Sequence, residues 1–307
     1  MQRILVPLDG SEFAERALKP ALALAVRTGA EVHLASIVSD LPPVPLASGD
    51  GDLVSRWFEE EKDRARKYLE TTSERLTAEG SGVALSTHVR VGPVTRSLER
   101  LCKELEVDLA VLTTHGRGAW QRTWLGSVAD QLLRAGPVPL LLLPKEAQGG
   151  QPFAGPDEPS HVLVPLDGSE AGEAVVNTLL PLLSSGGQRV TLVTVLQQPF
   201  PLATTYLPHA VTEEALMKER RTRIEDYLRQ AGDRLKGAGI DDVRSEVLIG
   251  DDAARGILRF VEAEGVDLIA LSTRGRGGVS RLLLGSVADK LIRSAGVPIL
   301  TARRSAE

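Results

Sequence analysis

Ile4-Leu5-Val6-Pro7-Leu8-Asp9-Gly10-Ser11-Glu12 stands near the start of the chain, and Val162-Leu163-Val164-Pro165-Leu166-Asp167-Gly168-Ser169-Glu170 repeats it 158 residues later. Each is a short apolar run that ends on Asp-Gly-Ser, the pattern of a buried strand giving way to a turn. A second pair lies further along. Thr113-Thr114-His115-Gly116-Arg117-Gly118, followed by Gly126-Ser127, returns as Ser272-Thr273-Arg274-Gly275-Arg276-Gly277, followed by Gly285-Ser286, at an offset of 159. Aligned without gaps, residues 107–143 and 266–302 are identical at 20 of 37 positions, too many for two domains that merely share a fold. The chain is read as a duplication, with copies over 1–146 and 160–304. Residues 147–159 between them are rich in Gly, Pro and polar side chains, lack periodicity and read as a linker.

One copy alternates strand and helix. Strands are predicted over 4–8, 32–38, 83–91, 108–113 and 138–143. Helices are predicted over 12–28, with a kink or break at Pro20, and over 53–78, 93–106 and 127–134. Ser11 or Asp9 suits the N-cap of the first helix. This alternation implies a parallel sheet with helices on both faces, and such sheets bind ligands beyond the carboxyl ends of their strands, at the switch in strand order. If the first and fourth strands are neighbours there, Asp9 and the glycine-bearing loop face one crevice, as do Asp167 and its loop.

Composition narrows the class. Of 307 residues, 42% are hydrophobic and 25% charged, the balance of a globular protein with room for two cores. Aromatics make up only 4%, so the cores rest on Leu, Val, Ile and Ala. A net charge of −5 argues against nucleic acid as a partner. No run of about 18 apolar residues suits a membrane span, and the start of the chain lacks a signal-peptide pattern. The single cysteine, Cys102, suits a reducing, cytoplasmic setting and reads as a buried filler. The histidines His33, His88, His115, His161 and His209 show no metal spacing. The charge-dense stretch over 59–75 reads as a solvated helix face.

The chemistry concentrates on the glycine ruler. Gly126-Ser127 opening a helix presents free amides and the positive end of the helix dipole, a ready phosphate site. Arg117, Arg122, Arg276 and Arg281 add positive charge, and the nine-residue spacer leaves room for a phosphate chain. A plainer reading has the glycines turn the chain and Ser127 cap its helix. Asp9 and Asp167 suit either ribose hydroxyls, an ion's water shell or a turn. Trp120 and Trp124 in the first arc suit packing or a nucleotide cover, whereas the second arc carries Val279 and Leu283. No catalytic base is evident for aiming a water at a γ-phosphate.

Taken together, V-P-L-D-G-S-E, T-H-G-R-G or T-R-G-R-G, and L-G-S-V-A-D ahead of V-P resemble the universal stress protein family, across nearly all of both halves, in the manner of its tandem members. The family's nucleotide motif runs Gly-x2-Gly-x9-Gly-Ser/Thr. The later glycines and the serine match here in both copies, while Thr113 and Ser272, both small and hydroxylated, stand at the first glycine. The resemblance implies a five-stranded parallel sheet in the order 3-2-1-4-5, of the adenine nucleotide alpha hydrolase-like kind, and a cytoplasmic stress-response protein that binds ATP with phosphate-bound Mg2+. Pro7, Leu8 and Asp9 are then expected at the adenosine end, Ile37 at adenine, Leu112 and Thr113 at the ribose, and Gly116, Gly126, Ser127 and Val128 at the phosphates. The second site is expected to use Pro165, Leu166, Asp167, Val195, Leu271, Ser272, Gly275, Gly285, Ser286 and Val287. Hydrolysis is expected to be slow or absent. An ATP-hydrolysing or adenylyl-transferring enzyme and a nucleotide-independent scaffold are the alternatives. In that strand order the apolar fifth strands, 138–143 and 297–300, are edges. Bare apolar edges find cover, so the copies are expected to pair fifth strand to fifth strand, with a homodimer of chains as a further option.

Overall fold

The computed structural model describes residues 1–40, 51–114, 125–144, 159–183, 187–197, 210–273 and 284–302. They fall into two compact units divided after residue 157. In the first, β1 (Arg3–Pro7), β2 (Glu31–Val38), β3 (Leu85–Val91), β4 (Leu109–Thr113) and β5 (Leu140–Leu143) alternate with α1 (Glu12–Glu15), α2 (Leu18–Thr28), α3 (Gly51–Ala78), α4 (Val94–Glu104) and α5 (Ser127–Ala135). Every strand pairing is parallel, in the order β3-β2-β1-β4-β5. The second unit repeats the plan with β6 (His161–Pro165), β7 (Arg189–Leu196), β8 (Asp242–Ile249), β9 (Leu268–Leu271) and β10 (Ile299–Thr301) in the order β8-β7-β6-β9-β10. Its helices are α6 (Glu170–Leu179), α7 (Ala210–Gly237), α8 (Ala253–Glu264) and α9 (Ser286–Ser294).

The central strands are continuous apolar runs because helices cover both their faces. Ile4, Leu5 and Val6 are at most 1% exposed, as are Val162, Leu163 and Val164. One aspartate anchors the start of each first strand. Asp108, just ahead of β4, accepts from the backbone amides of Gln2 (2.6 Å) and Arg3 (3.1 Å), and Asp267 does the same for Ser160 (2.8 Å) and His161 (3.1 Å).

The single helix expected over 12–28 is two helices, and the break falls at Arg16-Ala17 rather than at Pro20. Proline lacks an amide and its ring clashes with the carbonyl four residues back, which here belongs to Arg16. Pro20 therefore sits in the first turn of α2, where its missing donor costs little. The helix expected to end at 106 stops at Glu104, because Glu106 takes a left-handed conformation with φ 45°. The third and fifth strands begin at Leu85 and Leu140, two residues later than expected in each case.

Candidate functional site

The switch in strand order lies between β1 and β4, which pair in parallel through Ile4–Leu109 and Leu5–Ala110. The carboxyl ends of the two strands, Pro7-Leu8-Asp9 and Leu112-Thr113, therefore share one edge of the sheet. In the second unit β6 and β9 bring Pro165-Leu166-Asp167 and Leu271-Ser272 to the equivalent edge. Ile37 and Val195, near the ends of β2 and β7, are half-buried beside them.

The aspartate turn is built alike in both copies. Gly10 and Gly168 take φ 78° and 79°, the left-handed region where a side chain is strained. Asp9 Oδ1 accepts from the Ser11 amide (3.0 Å) and hydroxyl (2.6 Å), and Asp167 Oδ1 accepts from Ser169 at the same two distances. The serine, in turn, caps the helix, accepting from Ala14 (3.2 Å) or Gly172 (3.0 Å). The choice left open by the sequence is thus resolved: serine is the cap, and the aspartate holds the serine. The adjoining strand end is fixed by Leu8 N–H to Ala35 C=O (2.7 Å) and Leu166 N–H to Val193 C=O (2.8 Å).

Across the edge, the two ends of the ruler loop meet. The Gly126 amide donates to the Thr114 carbonyl (2.5 Å) and the Gly285 amide to Thr273 (3.0 Å). Gly126 and Gly285 are the N-caps of α5 and α9, with φ/ψ of −66°/147° and −61°/142°. Capping by Ser127 is overturned: it is the first residue inside the helix, as is Ser286, both are exposed, and neither helix has a side-chain cap. The intrahelical ladder begins with Asp130 N–H to Gly126 C=O (2.9 Å) and Asp289 N–H to Gly285 C=O (2.8 Å). Among the described residues no side chain takes the amides of residues 127–129 or 286–288, so each helix turns donors and a positive dipole end toward the edge. The first-turn acids that oppose this field are compensated: Arg134 grips Asp130 at 2.8 and 3.0 Å, and Arg293 grips Asp289 at 2.9 Å. Val128 and Val287 follow the serines and are half-buried.

Thr113 is 9% exposed and Ser272 is half-buried at the place of the family's first glycine. Gly116, Gly275, His115, the loop arginines, Trp120 and Trp124 lie outside the described residues. Sequence reading missed Thr114 and Thr273, 5% and 6% exposed, whose carbonyls close the loop. Their identity in the two copies was the available signal. It also missed that His33 and His88 face one another, with Nδ1 and Nε2 3.1 Å apart. Among the described residues no group of three or more His, Cys, Asp or Glu is arranged to hold a metal. Cys102 is buried, and burial pushes its thiol up to about 12, which makes it inert.

A duplicated doubly wound α/β unit, with a helix N-terminus and an aspartate turn at the strand switch of each copy, defines a tandem α/β protein. The family model described as the universal stress protein family matches residues 1–144 and again 159–303. The chain belongs to that family. A universal stress protein of Mycolicibacterium smegmatis is 24% identical over 306 residues, covering 98% of this chain and 96% of that protein. One from Methanocaldococcus jannaschii is 30% identical over 145 residues, covering 47% of this chain and 82% of its own. The crystal structure of a universal stress protein from Archaeoglobus fulgidus shares the fold at TM-score 0.66 and 17% identity, over 99% of this chain and 98% of that one. Among the described residues no helix is long and apolar enough to cross a membrane.

Proposed function

We propose that this protein binds ATP at two sites, one per copy, and serves as a cytoplasmic stress-response regulator whose output is a change of shape or partner, with slow or no hydrolysis. The observation that carries this reading is the uncapped N-terminus of α5 and of α9, each joined by one hydrogen bond to the strand end next to the aspartate turn. In this reading the amides and the exposed serine hydroxyls of Ser127 and Ser286 take the phosphates. Pro7, Leu8 and Asp9 line the adenosine end, with Ile37, Leu112 and Thr113. Pro165, Leu166, Asp167, Val195, Leu271 and Ser272 do so in the second copy. Gly116 and Gly275 complete the loops. Mg2+ rides on the phosphates, as this ion commonly does in place of an all-protein cage. We take the domains as 1–146 and 160–304 with a linker over 147–159, and we propose that their apolar fifth strands cover one another.

Calorimetric titration of the nucleotide-stripped protein with Mg-ATP tests the sites. The informative variant is Ser286→Glu. A carboxylate in the first turn suits the helix dipole, so the fold is retained while a phosphate is repelled. Two equivalents for the parent and one for the variant are expected. No binding by either would leave the scaffold reading. Steady turnover of ATP would favour an enzyme.

A further inference from the structure

In both copies the helix after the second strand is tied to the helix after the first by a Glu–Arg pair, to which the first copy adds a tyrosine. Glu15, the last residue of α1, accepts from the Tyr68 hydroxyl (3.0 Å) and the Arg75 guanidinium (2.7 Å), both on α3. On α7, Arg234 pairs with Glu173 at 2.8 Å, whereas the buried Tyr227 hydroxyl makes no hydrogen bond among the described residues. The tied carboxylate is one helical turn from the aspartate turn. The Glu15 amide donates to the Ser11 carbonyl and the Glu173 amide to Ser169, both at 3.2 Å. These serines are the ones that hold Asp9 and Asp167. A continuous chain of bonds thus runs from the long helix to the aspartate.

The tie has outlasted the divergence around it. Aligned at the offset of 159, α3 and α7 are identical at six positions, represented by Glu60, Arg64, Tyr68, Leu69, Arg75 and Leu76. Leu69 and Leu76 and their counterparts Leu228 and Leu235 are core residues, at most 3% exposed, and Glu60 and Arg64 are exposed. Packing accounts for the leucines but not for the tyrosine and arginine. Charge gives those two a reason. Asp9, Glu12 and Glu15 gather negative charge at the edge where an anionic ligand would arrive, as do Asp167, Glu170 and Glu173. The arginine cancels one of these charges. The field is shared, since Asp9 adds to the rise of the Tyr68 phenol that burial and Glu15 produce, and Asp167 does the same at Tyr227.

Resting on the nucleotide reading above, we propose that Tyr68 and Arg75, acting through Glu15, and Arg234, acting through Glu173, are positioning residues of the two nucleotide sites. They fix the aspartate turn and neutralise a carboxylate that would otherwise repel the ligand's phosphates.

The test uses the full chain with Ser286→Glu, which leaves the first site, and measures Mg-ATP affinity by calorimetry beside thermal unfolding. Arg75→Gln should weaken binding roughly three- to tenfold at low ionic strength, the scale of one uncompensated charge in a partly screened setting. The loss should shrink as salt rises. Adding Glu15→Gln to Arg75→Gln should bring affinity back to within about twofold of the parent, since the double variant has lost both charges. Glu15→Gln alone, which keeps the side chain's shape, should bind at least as tightly as the parent. A merely structural tie would make the double variant as weak as the single one and the loss indifferent to salt, and either result overturns the inference, as does weaker binding by Glu15→Gln alone. If the Ser286→Glu parent binds no Mg-ATP, the nucleotide reading fails before the tie is touched.

Discussion

The two copies agree where their first strands end and disagree in the polar pairings along their strands. At the aspartate turn the paired distances are 3.0 and 2.6 Å in both. Along β1–β3 and β6–β8 the side-chain pairings differ. In the first copy Glu31 accepts from Ser86, and buried His33 faces His88. In the second, Arg189 and Arg244 share Asp242 at 3.1 and 3.2 Å, and His161 reaches Thr191 at 2.8 Å. The helix pairs differ likewise. Thr95 meets Gln131 at 2.6 Å in the first copy, whereas Asp252 meets Lys290 at 2.7 Å in the second. A buried polar group needs a partner, but many partners will serve. A turn that must present one carboxylate at one place has far fewer solutions.

The hardest way to break the agreement is at the turn glycines. Gly10→Val and Gly168→Val each place a β-branched residue at φ near 78°, at a cost of about 1–3 kcal/mol. Each should lower the unfolding free energy of its own copy, measured by denaturant titration, and remove one equivalent of nucleotide. Equal effects in the two copies would sharpen the comparison, and a harmless valine in one of them would break it.

Acid should separate the copies. Burial first of all holds His33 below the ordinary imidazole value, with Arg3 adding to it and Glu31 opposing. His88 is lowered by burial, then by His33 and Arg90, against Glu31 and Glu104. Folded-state values below the unfolded one mean that the unfolded chain binds more protons, so this stability is whole above about pH 6.5 and is lost as pH falls toward the folded values. The second copy has Thr191 and Glu246 at these positions. All three tryptophans, Trp57, Trp120 and Trp124, are in the first copy, so tryptophan fluorescence during thermal unfolding reports that copy. Its midpoint should drop between pH 7 and 5, and His88→Gln should flatten the profile. A flat profile in the parent would count against the pair.

The smallest effect is expected at Gly172, where an added methyl would stand 2.8 Å from Asp167 Oδ1. The first copy already carries Ala14 there, with its amide to the serine at 3.2 Å in place of 3.0 Å. Gly172→Ala should therefore stretch the second turn to match the first. The helix-propensity gain of roughly 0.5–1 kcal/mol offsets that strain, and the net change in unfolding free energy should be small. A large loss of nucleotide affinity would show that the copies tolerate the methyl differently.

The duplication, the five-strand alternation and the positions of Asp9, Asp167, Ser127 and Ser286 along their elements were legible in the residues alone, because each is local: an apolar run closed by Asp-Gly-Ser, or a glycine followed by a helix start. The strand order came with the family resemblance, and the parallel pairing bears it out. Which group caps which helix became readable once the chain was folded. Ser11 and Asp9 are equally good acceptors by composition, and Gly126, with extended backbone, takes the N-cap position of α5 ahead of Ser127. The break before Pro20 depended on a carbonyl one turn back. The histidine pair and the Glu–Tyr–Arg tie of the first copy join residues more than fifty positions apart. Such contacts leave no periodic signal, since they exist only once parallel strands and crossover helices have brought distant side chains to one face.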